Sequence, residues 1–296
     1  MNRILVVSIL LAKNSRVRNS FNLLKKSGNL RCRNGYVLKF DNGNFRDVKN
    51  LFVFSQFYGV NFSTSPGYWN YNEGIITTPE GIRFKVNMFD PLIFSETFLC
   101  DIHFSGFNLY EKTVVQAGGF IGDTALYYAS KKANVYSFEP DVNSYSLAIE
   151  NIKLNPEFSK HIVMKNYAIG EDKDILFPIN PGGSGGSSAY NIENQKTVKV
   201  RSVSISTILD EFQIENPFLL DLDIKGKELD IVKDKAISRF EEVRIEYSTS
   251  IDGVQLYERE YIIQNLKEAG FTRFRIYKHN ELRYDLMEHG TIEATR

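Results

Sequence analysis

A chain of 296 residues, 43% of them hydrophobic and 24% charged, can bury a real core and has room for one large globular domain plus an appendage. Two cysteines and four scattered histidines exclude a disulfide framework or a zinc motif, so no metal is expected. The net charge is zero but uneven: residues 1–40 hold nine Lys or Arg and no acid, which the remainder balances.

Ile4–Ala12 is an apolar run too short to span a bilayer, and no small-residue cleavage site follows it. With Val17, Phe21, Leu23 and Leu24, the head reads as a basic amphipathic helix. Residues 1–33 are then either a peripheral contact with an anionic membrane or glycan surface, or a helix packed on the body. The expected location is cytoplasmic, with membrane association left open. Cys32 and Cys100 read as reduced structural thiols, a single bridge between them also left open.

Residues 35–110 are rich in aromatics and asparagine. Strands are expected at Tyr36–Phe40 and Ile82–Asn87, with a turn-rich loop at 65–74 and a proline-opened helix at 91–100. Phe57, Tyr58, Tyr68, Trp69 and Tyr71 read as core in preference to rings that stack on a sugar, with Trp69, beside Pro66–Gly67, the member expected to face a ligand if any does. Residues 1–110 form an α+β cap in this reading, and 111–296 the main domain.

The segment TVVQAGGFIGDTALYYASKKANVYSFE (113–139) is the most informative. A strand, Thr113–Ala117, enters a turn containing Gly118, Gly119 and Gly122; a helix from Asp123 to Lys131 and a strand, Asn134–Phe138, lead to Glu139. This is half of a nucleotide-binding βαβ unit, with Asp123 or Thr124 expected to cap the helix and Glu139 able to accept both hydroxyls of a ribose. A dinucleotide fingerprint needs glycine where this chain has Phe120, whose bulk obstructs a pyrophosphate. S-adenosylmethionine, which has no phosphate, needs only the tight turn.

Further on, helix Val142–Leu154, strand Ile162–Tyr167 and a hairpin of Ile175–Ile179 with Thr197–Val203 are expected, the hairpin enclosing a glycine-rich loop at 180–191. Helix Ser206–Phe212, strand Phe218–Asp223, helix Lys227–Ile237, strand Glu242–Tyr247 and a helix over 254–269 follow, and residues 271–289 alternate like a closing antiparallel pair. The fold class is α/β, a seven-stranded doubly wound sheet.

Three blocks resemble the FkbM family of S-adenosylmethionine-dependent methyltransferases: VVQAGGFIGDTALYYA with VYSFEPD (114–141), NIKLNP with NYAIG (151–156 and 166–170), and VRSVSISTILDEF through FLLDLDIKGKELDIV to VRIEYS (200–248). The resemblance implies a class I, Rossmann-like methyltransferase that methylates a hydroxyl of a glycan, glycolipid or related metabolite. It places Gly118 and Gly122 beside the methionine portion of the cofactor, Glu139 on the ribose, Asn166 and Ala168 near the adenine, and Asp223 toward the methyl.

Three positions depart from the family pattern. The acid before the glycine turn is Gln116, which can accept a hydrogen bond but brings no charge. The family's K-x-D-x-E-G reads Asp221, Asp223, Lys225 and Gly226, so an ion pair could survive with acid and base exchanged. A family histidine after the fifth strand is Ser248. For the base that takes the acceptor's proton, Asp223 is the first candidate, because strand ends face the ligand crevice in open sheets. Glu246, Glu96 and His103 are the alternatives, His103 reading more readily as an ordinary surface or cap histidine. A nucleic-acid methyltransferase is a second reading, disfavoured because no base-flipping Asn-Pro-Pro-Tyr motif occurs, and a relative that binds cofactor without catalysing is a third.

Overall fold

The computed structural model describes residues 25–103, 106–179, 196–224, 227–251, 254–277 and 289–296. Most of the basic head, the glycine-rich loop at 180–191, and Lys225 with Gly226 lie outside these residues. Two compact units divide between Leu99 and Cys100. Among the described residues, no helix is long and apolar enough to cross a membrane. Cys32 and Cys100 are both unbridged.

In the first unit, β1 (Gly28–Arg31) pairs antiparallel with β2 (Val37–Phe40), while the residues expected to form the basic helix lie outside the described ones. Helix α1 (Phe45–Tyr58) buries Val48, Leu51, Phe52 and Phe54 at helical spacing and ends on Gly59 at a φ of 72°. β3 (Asn70–Asn72), β4 (Ile75–Thr77) and β5 (Arg83–Lys85) form a meander. α2 (Pro91–Phe98) starts on its proline, with Asp90 accepting the N–H of Leu92 as cap. Trp69 does not face solvent: it is 4% exposed, with the rings of Phe54 and Phe98 edge-on to it at 5.0 and 5.8 Å. The gain from burying so large a ring outweighs the exposure usual for a turn. Phe57, Tyr58 and Tyr68, read as core, are the exposed rings instead.

The second unit opens with β6 (Thr113–Ala117), α3 (Asp123–Ser130) and β7 (Asn134–Phe138), as the glycine-turn pattern predicts. α4 (Val142–Lys153) is capped by Asp141, which accepts the N–H of Ser144. A short turn of helix, α5 (Pro156–Ser159), leads to β8 (Ile162–Lys165). The strand expected through Tyr167 stops there: β9 (Tyr167–Ile169) leaves to pair with β11 (Thr197–Val203), which also pairs antiparallel with β10 (Lys173–Pro178). The hairpin was legible, but the separate small sheet it belongs to was not.

α6 (Ile205–Glu211), capped by Ser204, leads to β12 (Pro217–Asp223), and the helix expected over 227–237 is two pieces. α7 (Glu228–Val232) stops and Asp234 caps a new 3-10 turn, Lys235–Arg239, by accepting the N–H of Ala236. β13 (Glu242–Ser248) follows, then a small hairpin of β14 (Ser250–Ile251) and β15 (Val254–Gln255), so the last helix, α8 (Arg259–Glu268), starts later than expected. The closing pair is β16 (Arg273–Tyr277) and β17 (His289–Thr295), its second strand lying further along than the alternation suggested.

Seven strands make the main sheet in the order β16-β17-β13-β12-β6-β7-β8. β13, β12, β6, β7 and β8 run parallel, while β17 is antiparallel to β13 and β16 on either side of it. This is the class I methyltransferase arrangement. Strand alternation gives the sheet two unlike faces. One carries Val115, Ala117, Leu220, Leu222, Val243, Ile245 and Tyr247 into a core with α6 and α8, each Val, Leu or Ile among them contributing about 1.5–3 kcal/mol on burial. The intervening residues on the same strands are Gln116, Asp221, Arg244 and Glu246, so the other face has a polar centre.

Candidate active site

The glycine turn is built where β6 and β12 end together. At Gly118, φ is 87°, and a β-carbon would lie 1.9 Å from the carbonyl oxygen of Asp223, so only glycine fits. At Gly119 a β-carbon would meet Ser137 Oγ at 2.5 Å. The N–H groups of Gly118 and Gly119 both donate to the carbonyl of Phe138, tying the turn to β7. Gly122, at φ 79°, occupies the N-cap of α3, and no side chain caps it; Asp123 and Thr124, expected as caps, are buried in the first turn instead. Asn151 on α4 supports the turn by donating to the carbonyl of Ile121 at 2.9 Å.

Glu139 directly follows the end of β7. Its two carboxylate oxygens accept one backbone N–H each, from Phe120 at 2.7 Å and Asp141 at 2.8 Å. Each oxygen keeps a further lone pair, so a ligand offering two adjacent hydroxyls matches it. Burial pushes its pKa up to about 8, against those two N–H groups, with Asp141 and Asp223 adding to the rise. Asn166 donates to the carbonyls of Glu139 and Pro140 at 2.8 and 3.0 Å, bracing the segment that aims Glu139. Ala168 is buried on β9, opposite Ser202. Gln116 is fully buried and accepts from Ser137 Oγ at 2.8 Å, so a neutral, satisfied side chain stands where the family pattern has an acid.

Deeper on the polar face lies a locked cluster. Asp221 accepts from Arg244 Nη1 at 2.6 Å and from the Tyr128 hydroxyl at 2.6 Å, and His103 Nδ1 is 3.3 Å away. Burial alone would raise Asp221, but Arg244 and then His103 outweigh it and hold the carboxyl below the usual range. Asp221 thus has its ion-pair partner in Arg244 of the next strand, whereas the exchanged pair expected within the motif needs Lys225, which lies outside the described residues. His103 is not a surface residue; it is buried against this carboxylate.

Two residues along the same strands, the polar face opens. Asp223, half-buried, stands in register with Glu246 on β13. Burial and the neighbouring Glu246 push Asp223 up to about 7, against Arg244 and His103. His289 Nε2 lies 3.4 Å from Glu246 Oε1, and His289 Nδ1 lies 2.9 Å from Ser248 Oγ. Of the candidate bases, Asp223 and Glu246 are thus brought together, while Glu96 lies on α2 in the first unit, half-buried. Arg244, Tyr128, Asn151 and His289 were missed by sequence reasoning. For His289 the sequence carried no signal: its place opposite Ser248 depends on the register of β17 against β13.

Residues 116–273 match the family described as the methyltransferase FkbM domain. A curated relative, the hexuronic acid methyltransferase AglP of Haloferax volcanii, is 26% identical over 117 residues, or 39% of this chain. The chain spans about half the length of that relative (46%). Among solved structures, the METTL16 MTase domain aligns at a TM-score of 0.46 and 10% identity, covering 98% of this chain and 91% of that one. The putative transferase PH0793 from Pyrococcus horikoshii aligns at 0.45 and 14% identity, covering 99% and 98%. The matched domain takes in the glycine turn, Glu139, Asp223 and Glu246, and spans more than half of the sequence: the chain belongs to the FkbM methyltransferase family.

Proposed function

We propose that this methyltransferase moves a methyl group from S-adenosylmethionine to a hydroxyl of a glycan, glycolipid or related sugar metabolite. The observation that carries the reading is the grouping of carboxylates at three strand ends: Glu139 pinned by two backbone N–H groups, and Asp223 facing Glu246.

Glu139 fits the ribose of the cofactor, since both of its oxygens keep acceptor capacity after bonding the backbone. The tight glycine turn fits a ligand without phosphates, with Phe120 beside it. Bound there, the cofactor supplies an electrophilic methyl on a sulfonium. This chain's residues have three tasks: to align the acceptor, to exclude water and to take its proton. Asp223, pushed up to about 7, can accept a hydrogen bond from the acceptor hydroxyl and so orient it for the group that takes its proton. The acids at this edge also bear on the acceptor. A negatively charged carboxylate acceptor would be repelled by Asp223 and Glu246, whereas a neutral hydroxyl can donate to either. Similarity to a hexuronic acid methyltransferase supports a sugar, which offers several hydroxyls beside its carboxylate.

The test is incubation with methyl-labelled S-adenosylmethionine and uronic-acid disaccharides, neutral oligosaccharides and glycolipids. Label stable to mild alkali is an ether and supports the reading. Label lost to alkali is a methyl ester and overturns the hydroxyl assignment.

A further inference from the structure

Ser248 leaves the place of a family histidine without an imidazole of its own, yet one is present. β17 runs antiparallel beside β13, and the register sets His289 directly opposite Ser248. The ring spans two partners on β13: Nδ1 is 2.9 Å from Ser248 Oγ, and Nε2 is 3.4 Å from Glu246 Oε1. Glu246 in turn stands opposite Asp223, so the ring joins the carboxyl edge where the parallel strands end. Glu246 and Asp223 approach from β13 and β12, with Arg244 further along β13 committed to Asp221. The Tyr257 hydroxyl accepts the N–H of Ser248 and donates to Glu228, while Tyr277 on β16 lies opposite Thr291 of β17.

We propose that His289, carried in by the closing strand, is the proton acceptor of this site, held by Glu246 at one ring nitrogen and reached through Ser248 at the other. The proposal rests on the methyl-transfer reading above. As the acceptor oxygen bonds to the methyl carbon, its proton passes to Ser248 Oγ and the serine's own proton passes to His289 Nδ1. The carbon–sulfur bond breaks with its electron pair retained by sulfur, and the Glu246 carboxylate offsets the charge of the imidazolium. A histidine that tied β17 to β13 away from the reacting centre would not sense charge there.

That difference can be measured without knowing the acceptor. S-adenosylmethionine and S-adenosylhomocysteine differ by the charged methyl on sulfur. A sulfonium within about 6 Å of the ring should lower the pKa of His289 by about one unit relative to the neutral sulfide. The experiment is an NMR titration of the histidine ring resonances in each complex, and four histidines in the chain make assignment through H289Q direct. The expected result is a pKa about one unit lower with S-adenosylmethionine. Equal values in two saturated complexes would overturn the proposal while leaving the cofactor reading intact. If neither ligand binds, the cofactor reading fails first and the proposal falls with it. Glu246→Gln, which leaves the ring in place, should lower the same titration in both complexes; an unchanged titration also overturns the proposal.

Discussion

Glu139 couples cofactor binding to a proton. Without ligand, burial pushes it up to about 8, so about nine-tenths of the molecules carry it protonated at pH 7 and about one-tenth at pH 9. Ribose hydroxyls donating to this carboxylate favour the ionised form. S-adenosylhomocysteine presents the ribose without a sulfonium and so reports on Glu139 with no direct charge on Asp223. Its binding is expected to release about 0.9 of a proton at pH 7 and about 0.1 at pH 9. Calorimetry in buffers of different ionisation enthalpy reads this number as the slope of apparent enthalpy. Glu139→Gln should remove the release and weaken binding about tenfold to a hundredfold, from a charge-assisted hydrogen bond worth about 1.5–3 kcal/mol. The stability sign agrees. A raised folded pKa contributes stability that is present below about pH 4 and lost as pH rises through about 8. The ligand's effect on thermal stability should therefore grow across that window. Tight binding at pH 7 with zero slope would refute the reasoning.

Gly118→Ala would place a β-carbon 1.9 Å from the Asp223 carbonyl at a φ of 87°, adding about 1–2 kcal/mol of backbone strain to the clash; a lower melting temperature and lost cofactor binding are expected, and wild-type binding would count against the turn's role. Asp223→Asn should abolish methyl transfer while leaving cofactor affinity within a few-fold. Because Asp223 is raised to about 7 by burial and Glu246, its contribution to stability fades as pH rises from about 4 through 7, and the variant's stability should be flatter there; an unchanged pH profile would contradict this. Arg244→Met strands the buried Asp221, at a cost of about 3–5 kcal/mol by urea denaturation; less than about 1 kcal/mol would mean the pair is dispensable. Trp69→Ala opens a cavity among Phe54 and Phe98 and should cost about 3–5 kcal/mol, read by chemical denaturation.

The βαβ unit was legible because its glycines, its apolar strands and Glu139 fall within one short segment, where local chemistry decides the outcome. The register of β17 against β13 was not, since it depends on a pairing across more than forty residues of sequence. That one hidden alignment concealed His289 behind Ser248. Trp69 misled for a different reason: Pro66–Gly67 signals a turn, but whether the ring beside it faces outward depends on the Phe54 and Phe98 rings available to cover it. Asp123 and Thr124 failed as caps because Gly122 already adopts the turning conformation at that point. In each case the residue type was read correctly and its neighbour was missing.

The polar face of the sheet divides along the strands into a part that cannot exchange protons and a part that can. Asp221 and Arg244 meet across β12 and β13, and Tyr128 and His103 cover the pair, so burial and mutual attraction fix their charges. One strand period further on, the same alternation presents Asp223 and Glu246 at the open end, where Asp223 is pushed toward neutrality. The two levels are linked by register. Sliding β13 one residue along β12 would turn Arg244 into the apolar core that Val243 and Ile245 occupy, which a buried guanidinium forbids. The ion pair thus opposes a one-residue slip, and the alignment it supports sets Asp223 opposite Glu246. A lysine at position 221 would meet Arg244 as a like charge, so the pairing of these two side chains supports the register on which the proton-handling edge depends.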